Sequence, residues 1–376
     1  MKFQKYPFER LNELLDGITP NSKYFPISLT IGEPQFPTPE FISKALCENI
    51  NLLNKYPKSA GEEELKKAQL DYLQRNFDVK LDLSQIIPTF GTREVLFNFP
   101  QFVLSEKKNP KMAYVNPFYQ IYEGAAIASG AEVVYLNLEK ANNFLPKIDR
   151  EKLKDVDLVI LNTPSNPTAS VMSLEDLQEW VELALEFDFV LLNDECYIDL
   201  YTENKIPSLL NASVNAGNKS FKNIIVLNSI SKRSSAPGLR SGFIAGDSEI
   251  LKNYMRYRTY VGCAIPLPLQ KAATVAWLDD TAPQEFRAVY KQNLELASEI
   301  LNVPMPKATF YIWLEVKDAL KKAQELYREY NVKVLPGEFL GREGAGVDYW
   351  RLALVYEPEI TKEALFRVAK FLEEKK

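Results

Sequence analysis

The sequence predicts an α/β protein: a large domain built on a mostly parallel sheet with helices on both faces, plus a smaller α+β domain. Three observations carry this. From about residue 60, short Val/Ile/Leu-rich strands alternate with helices of ten or more residues, the mark of βαβ units. After Asp280 the pattern changes to long amphipathic helices with isolated strands between them. A chain of 376 residues also exceeds one small core, so two domains or one large α/β unit are expected. The expected division is a large domain over 45–282 and a small domain over 1–44 and 283–376.

The elements follow in order. After an amphipathic N-terminal segment, "ISLTIGEPQFPTPEFISKAL" predicts a short strand over 27–31, an irregular stretch at Gly32 and three prolines, then a helix capped by Thr38. Helices are predicted over 62–77, 92–104, 119–129 and 174–187. Strands are predicted over 85–89, 111–115, 132–136, 158–161, 190–193 and 224–227. Beyond Asp280 come a helix over 284–301, "ATFYIWLEV", a helix over 319–330, "VKVLPGEFLG", "YWRLALV" and a terminal helix from Thr361. No internal repeat, low-complexity tract or linker interrupts the chain.

Composition excludes several functions. A formal net charge of −5 argues against a protein that grips a phosphate backbone. No apolar run approaches the roughly 20 residues needed to span a bilayer, and the first 15 residues lack the apolar stretch of a signal peptide. Cys47, Cys196 and Cys263 are far apart and form no CxxC pair, which fits a reducing cytoplasm. Histidine is absent, which removes Ser-His, Cys-His and His-ligated metal chemistry. Neither G-x-G-x-x-G nor a Walker A sequence is present.

In open parallel sheets, ligands bind at the carboxyl ends of the strands, and the distinctive segments fall there. The most informative is "NSISKRSSAPGLRSGFIAG", Asn228 to Gly246. It offers the hydroxyls of Ser229 and Ser231, the amine of Lys232 and the guanidinium of Arg240 on backbone made irregular by proline and glycine. An amine that forms a Schiff base with an aldehyde cofactor needs a fixed stem and nearby phosphate ligands. Most lysines are solvated surface groups, so the weight rests on the partners elsewhere. Gly91, Thr92 and Arg93 open a helix whose free N–H groups favour a phosphate. Tyr119, in "NPFYQIYEG", offers a stacking ring, although an aromatic there more often packs a core. Asn166, in "NTPSNPTASV", either sustains a turn or donates to a phenolate oxygen. Asp194 ends a buried strand, where a carboxylate is costly unless paired. It serves either a structural ion pair or a pyridinium nitrogen, and Tyr197 follows three residues on. Arg351 interrupts the apolar "YWRLALV" and demands an anion, from the protein or a substrate. Together these meet the needs of pyridoxal 5′-phosphate acting on an amino acid.

These residues resemble the fold-type I, aspartate-aminotransferase-like superfamily over nearly the whole chain. "SISKRSSAPGLRSGF" and "YVGCAIPLPLQKA" are most similar to class I/II aminotransferases of the N-succinyldiaminopimelate aminotransferase kind. The resemblance implies Lys232 as the Schiff-base lysine and Asp194 as partner of the ring nitrogen. It implies Asn166 and Tyr197 on the ring oxygen, Tyr119 as the stacking ring, and Thr92, Ser229 and Arg240 on the phosphate. Gly32 and Arg351 match the substrate α-carboxylate site. Tyr56, in "YPKSAG", matches a tyrosine that reaches the neighbouring subunit's phosphate, which implies a homodimer. The chain departs from the pattern at Ala169, where glycine is usual, and at Val261 and Pro283, where relatives often carry histidine. The implied reaction is amino transfer from glutamate to a 2-oxo acid, N-succinyl-2-amino-6-oxopimelate being the acceptor of that kind. Aspartate or aromatic aminotransferases and a β-eliminating lyase share the same motifs. Lys23, Arg256 and Arg258 are candidate cations for a distal carboxylate.

Overall fold

A computed structural model describes residues 2–375. Its centre is a seven-stranded sheet in the order Ile86–Thr89, Gly242–Gly246, Ile224–Ser229, Val190–Asp194, Leu158–Leu161, Lys111–Asn116, Glu132–Asn137. Gly242–Gly246 runs antiparallel to both its neighbours, and the other strand pairs are parallel. Helices connect the parallel strands, as right-handed crossovers require. A large apolar cluster from Ile42 to Trp277 takes residues from all seven strands. The inner strands are buried along their whole length (Leu158–Leu161, Ile224–Ser229), which is why they read as continuous apolar runs rather than alternating ones.

A second cluster joins Ile27 and Leu29 to Leu294, Leu314, Val332, Trp350 and Leu365. Its scaffold is a three-stranded antiparallel sheet, Leu335–Pro336, Tyr349–Ala353, Tyr311–Glu315, beside a two-residue parallel pairing of Ile27–Ser28 with Val332–Lys333. A third cluster, including Phe36, Ala169, Tyr197, Phe310 and Tyr311, mixes residues from the two halves of the sequence. Residues 45 and 282 both lie inside helices, Glu40–Glu48 and Thr281–Leu301, so the sequence-drawn boundaries cut through elements. The first of these helices sends Ile42 into the large cluster.

Other departures are local. The 27–31 strand is paired only over Ile27–Ser28. Thr38 is not a cap: Pro39 precedes the helix, and the Thr38 hydroxyl donates to the Ser235 carbonyl at 2.7 Å. The 284–301 helix starts at Thr281, because the Asp279 carboxylate accepts from the N–H groups of Thr281 and Ala282 at 3.2 and 3.0 Å. The terminal helix likewise begins early, at Pro358. Several elements go unpredicted, chief among them the strand Gly242–Gly246 and the helices Leu209–Asn215, Ser248–Val261 and Leu267–Leu278.

Candidate active site

A cavity of about 830 Å³ opens where the carboxyl ends of the parallel strands face the antiparallel three-stranded sheet. Lys232, Thr92, Arg93, Tyr119, Asn166, Asp194, Tyr197, Ser229, Ser231, Arg240, Gly32 and Arg351 all line it. Gly91 stands just behind: it has φ +73, and a side chain there would drive into the Arg240 guanidinium. Tyr56 is fully exposed and lines no part of this chain's cavity.

Lys232 sits on a single helical turn, Ile230–Arg233, at the end of the strand Ile224–Ser229. The Ser229 hydroxyl caps that turn, accepting from the Ser231 N–H at 3.1 Å and donating to the Ser231 hydroxyl at 2.9 Å. The Lys232 amine donates to the Gly32 carbonyl. Burial holds its pKa down to about 8, since a charged amine loses water there that one carbonyl does not replace; the nearby Arg351 and Arg240 push the same way.

Asp194 closes the strand Val190–Asp194 and is 4% exposed. Its carboxylate accepts from the Tyr122 hydroxyl at 2.8 Å and the Cys196 N–H at 3.2 Å. Burial pushes its pKa up, and the hydrogen bonds from Cys196 and Tyr122 pull it back. No cationic side chain pairs with it among the described residues, so the carboxylate is open to a cationic partner from the cavity. Asn162 fixes the neighbouring turn, donating to the Asp194 carbonyl at 2.8 Å and accepting from the Asn166 N–H at 2.7 Å.

Across the cavity, Arg351 is 4% exposed. It donates to the Asn166 side-chain oxygen at 2.8 Å and to the Thr30 carbonyl, and lies over the Tyr311 ring, 4.5 Å from its centroid. Its Nε has no partner, and no carboxylate pairs with it among the described residues. Tyr311 also shares a hydrogen bond of 3.0 Å with Tyr197, whose hydroxyl is pushed well above its usual pKa by burial. Tyr119 accepts from Arg93 Nε at 2.9 Å.

Sequence reasoning missed Tyr122, Asn162 and Tyr311. Asn162 stands in the same "NTPSNP" segment as Asn166, and Tyr311 in "ATFYIWLEV", but neither type is distinctive by itself. Of the distal cations, Arg258 is corrected outright: its side chain is 0% exposed and bonded to Glu94 at 2.6 Å and the Pro88 carbonyl at 3.1 Å. Lys23 and Arg256 do not line the cavity, and neither do Val261 and Pro283.

The floor of the cavity thus offers an amine with a lowered pKa, a buried carboxylate, and a helix start flanked by serines and an arginine. The roof offers a guanidinium short of one partner. This donor set fits an aldehyde-bearing aromatic phosphate and an amino-acid carboxylate. The comparisons agree. Residues 26–360 match the family aminotransferase class I and II. The crystal structure of the aminotransferase AspB from Helicobacter pylori superposes with a TM-score of 0.97, at 49% identity over 99% of this chain and 100% of that one. The LL-diaminopimelate aminotransferase of Aquifex aeolicus is 30% identical over 91% of this chain and 90% of its own. The aromatic-amino-acid aminotransferase 2 of Thermococcus litoralis is also 30% identical, over 93% and 92%. The chain belongs to the aminotransferase class I and II family. It is a pyridoxal-phosphate-dependent transaminase with the aspartate-aminotransferase-like fold.

Proposed function

We propose that the chain transfers the amino group of glutamate to N-succinyl-2-amino-6-oxopimelate, in the cytoplasm and as a homodimer. The likeness of "SISKRSSAPGLRSGF" and "YVGCAIPLPLQKA" to enzymes of that kind supports the acceptor, and the fully exposed Tyr56 suits a group meant for the neighbouring cavity. The single observation that carries the reaction is the half-buried Lys232 amine, with a pKa lowered to about 8, across one cavity from an Arg351 whose Nε lacks a partner among the described residues.

We assign the residues as follows. Gly91, Thr92 and Arg93 at the start of the helix Thr92–Leu104, with Ser229, Ser231 and Arg240, hold the phosphate; a helix start and a guanidinium are both suited to an anion. Asp194 would pair with the ring nitrogen and favour its protonated state, Asn166 and Tyr197 would serve the ring oxygen, and Tyr119 would serve the ring face. Pyridoxal phosphate, when bound, supplies an aldehyde that condenses with amines and a ring that delocalises electrons released at the α-carbon. Arg351 binds the substrate α-carboxylate through its free Nε, with Gly32 at its side. Lys232 Nζ, whose pKa near 8 leaves a reactive neutral fraction close to neutral pH, is placed to take the α-proton and return it.

A second reading, an acceptor with an aromatic or long apolar side chain, is favoured by the cavity's outer wall of Phe8, Ile31, Phe90, Phe97, Leu335 and Leu340. The visible spectrum of the cofactor-loaded protein, before and after glutamate, tests the first half of the reaction. Conversion of the imine band to a pyridoxamine band is expected, and an oxo-acid panel then ranks the two acceptors. Release of pyruvate and ammonia from a β-substituted amino acid would replace transfer by elimination. Lys232→Ala is expected to abolish transamination while preserving the fold, as judged by circular dichroism; retained turnover would refute the role of Lys232.

A further inference from the structure

We propose that Arg233 is a positioning residue that fixes the Lys232 stem to the junction between the helices Leu267–Leu278 and Thr281–Leu301. The proposal rests on the role of Lys232 given above. The turn Ile230–Arg233 has four residues, too short to be stable alone, so its place must come from tertiary contacts. Arg233 is 1% exposed and supplies them. Its Nη1 donates to the Ala276 carbonyl at 3.0 Å, and its Nη2 donates to the Asp279 carbonyl and the Asp280 carboxylate, each at 3.0 Å. Its Nε lies 3.2 Å from the Asp199 carboxylate, and its guanidinium lies over the rings of Tyr72 and Trp277, 4.9 and 5.5 Å from their centroids.

These contacts belong to a continuous buried layer. Tyr72 donates to Asp199 at 2.8 Å, on the segment that follows Asp194 and Tyr197. Asn228, at the end of the strand leading into Lys232, donates to Glu195 at 3.2 Å. Glu195 is held further by Asn193, by the Ser208 hydroxyl and by the Leu209 N–H. On the other side, Asp280 also pairs with Arg75 and stands directly before the helix Thr281–Leu301. That helix sends Tyr290 into the cluster around Tyr197 and Tyr311, and Leu294 into the cluster around Trp350. One planar guanidinium therefore links the amine's own helical turn, the loop after Asp194, and the helix that reaches the Arg351 side of the cavity. Lysine at 233 could not reproduce this, because a single ammonium lacks the planar fork that serves several acceptors at once.

The test uses Arg233→Lys, Arg233→Met and Asp280→Asn, with Arg367→Met as control. Arg367 is also a buried arginine, but it bonds to Glu363 and the Phe25 carbonyl, away from the cavity. In the cofactor-free protein, reductive methylation with formaldehyde is followed at Lys232 by mass spectrometry across pH. A stem freed from its anchor lets water reach the amine, so the midpoint is expected to rise by about one unit in the Arg233 variants. In the loaded protein kcat is expected to fall at least about tenfold with KM little changed, as displacement of a reacting group costs the chemical step. Arg367→Met lowers the Tm without moving the midpoint. If Arg233→Met does not fold, Asp280→Asn decides, since it leaves the arginine and removes the charge of one of its anchors. Folded Arg233→Lys and Asp280→Asn proteins with midpoint and kcat within about twofold of wild type would overturn the proposal. The methylation readout needs no cofactor, so it fails or succeeds independently of the transaminase assignment.

Discussion

The two sides of Lys232 differ in how their polar groups are satisfied. Behind it, the buried layer is densely bonded, with Arg233 Nε and the Ser234 hydroxyl as its exceptions: the Glu195 carboxylate alone accepts from Asn193, Ser208, Leu209 and Asn228. In front of it, the groups are short of partners. Among the described residues Arg351 Nε has none and Asp194 has no cation, while Ser229 and Ser231 donate and accept between themselves. A closed buried network is rigid, because moving one member strands its neighbours without water. An open set facing a cavity keeps free energy available for a ligand. The difference shows which residues frame the site and which await a bound molecule.

The largest expected effect on this comparison comes from removing the roof. Arg351→Met deletes the group with the free Nε, together with its bonds to Asn166 and Thr30. We expect kcat/KM for amino acids to fall by about 10²–10³-fold, from a lost charge-assisted interaction of about 3–4 kcal/mol. Steady-state kinetics with glutamate checks this, and a fall of less than tenfold would remove Arg351 from the substrate site. Next comes Gly91→Ala. The new methyl meets the Arg240 guanidinium and demands φ +73 of an alanine. Cofactor affinity is expected to fall by about 10–100-fold, corresponding to about 1–3 kcal/mol of strain. Equilibrium dialysis of pyridoxal phosphate measures it, and unchanged affinity would separate Gly91 and Arg240 from the phosphate.

The pH dependence is smaller in amplitude but tests the amine directly. With its folded pKa held near 8, Lys232 is mostly protonated at pH 7 and mostly neutral at pH 9. The rate at which the cofactor-free protein captures pyridoxal phosphate is therefore expected to rise through a midpoint near 8. An unburied lysine would keep rising toward ~10.4. Stability shifts in the same sense. Between the folded value and the unfolded value near 10.4, the unfolded chain binds the extra proton, so stability attributable to Lys232 rises with pH across that window. Replacing Lys232 by Met removes a charge that the fold disfavours. The cofactor-free variant is expected to melt roughly a few degrees higher at pH 7, a difference that shrinks by pH 10.

Much of this was legible in the sequence, for identifiable reasons. The helices Thr92–Leu104, Leu174–Phe187 and Ala319–Tyr330 and the strand Leu158–Leu161 have the predicted limits, because apolar pattern and flanking turn residues agree there. The strand Gly242–Gly246 hides because glycine at both ends removes the β-branched signal and because it runs against the parallel pattern around it. The helix Leu267–Leu278 hides because it is apolar on most sides, with Pro268, Ala272, Ala273, Ala276 and Trp277 all buried, which leaves no amphipathic period to read. Site residues at strand ends could be found from one chain of reasoning about ligand chemistry. Tyr122 and Tyr311 could not, since their hydroxyls matter only through the side chains that the fold brings to them. Arg258 misled for the converse reason: in sequence, a buried structural arginine and a substrate-binding one look alike.

The smallest effect concerns the turn that aims Asn166 at Arg351. Ala169 occupies left-handed backbone at φ 58, a conformation that favours glycine, and is 6% exposed among Phe36, Tyr197 and Tyr311. Two opposing terms decide what Ala169→Gly does. Relief of left-handed strain favours the variant by about 1 kcal/mol, while loss of a buried methyl costs about 0.8 kcal/mol and the added freedom of the unfolded chain costs up to ~1 kcal/mol. The sum lies within about 1 kcal/mol of zero, on the destabilising side. Urea unfolding of the cofactor-free protein is therefore expected to show a small loss of stability, and kcat/KM to be unchanged, because the Asn162 bonds that hold the turn remain. A larger loss would mean that the alanine methyl, and not the buried network behind it, sets the position of Asn166. The closed frame would then extend one residue further toward the cavity than its hydrogen bonds indicate.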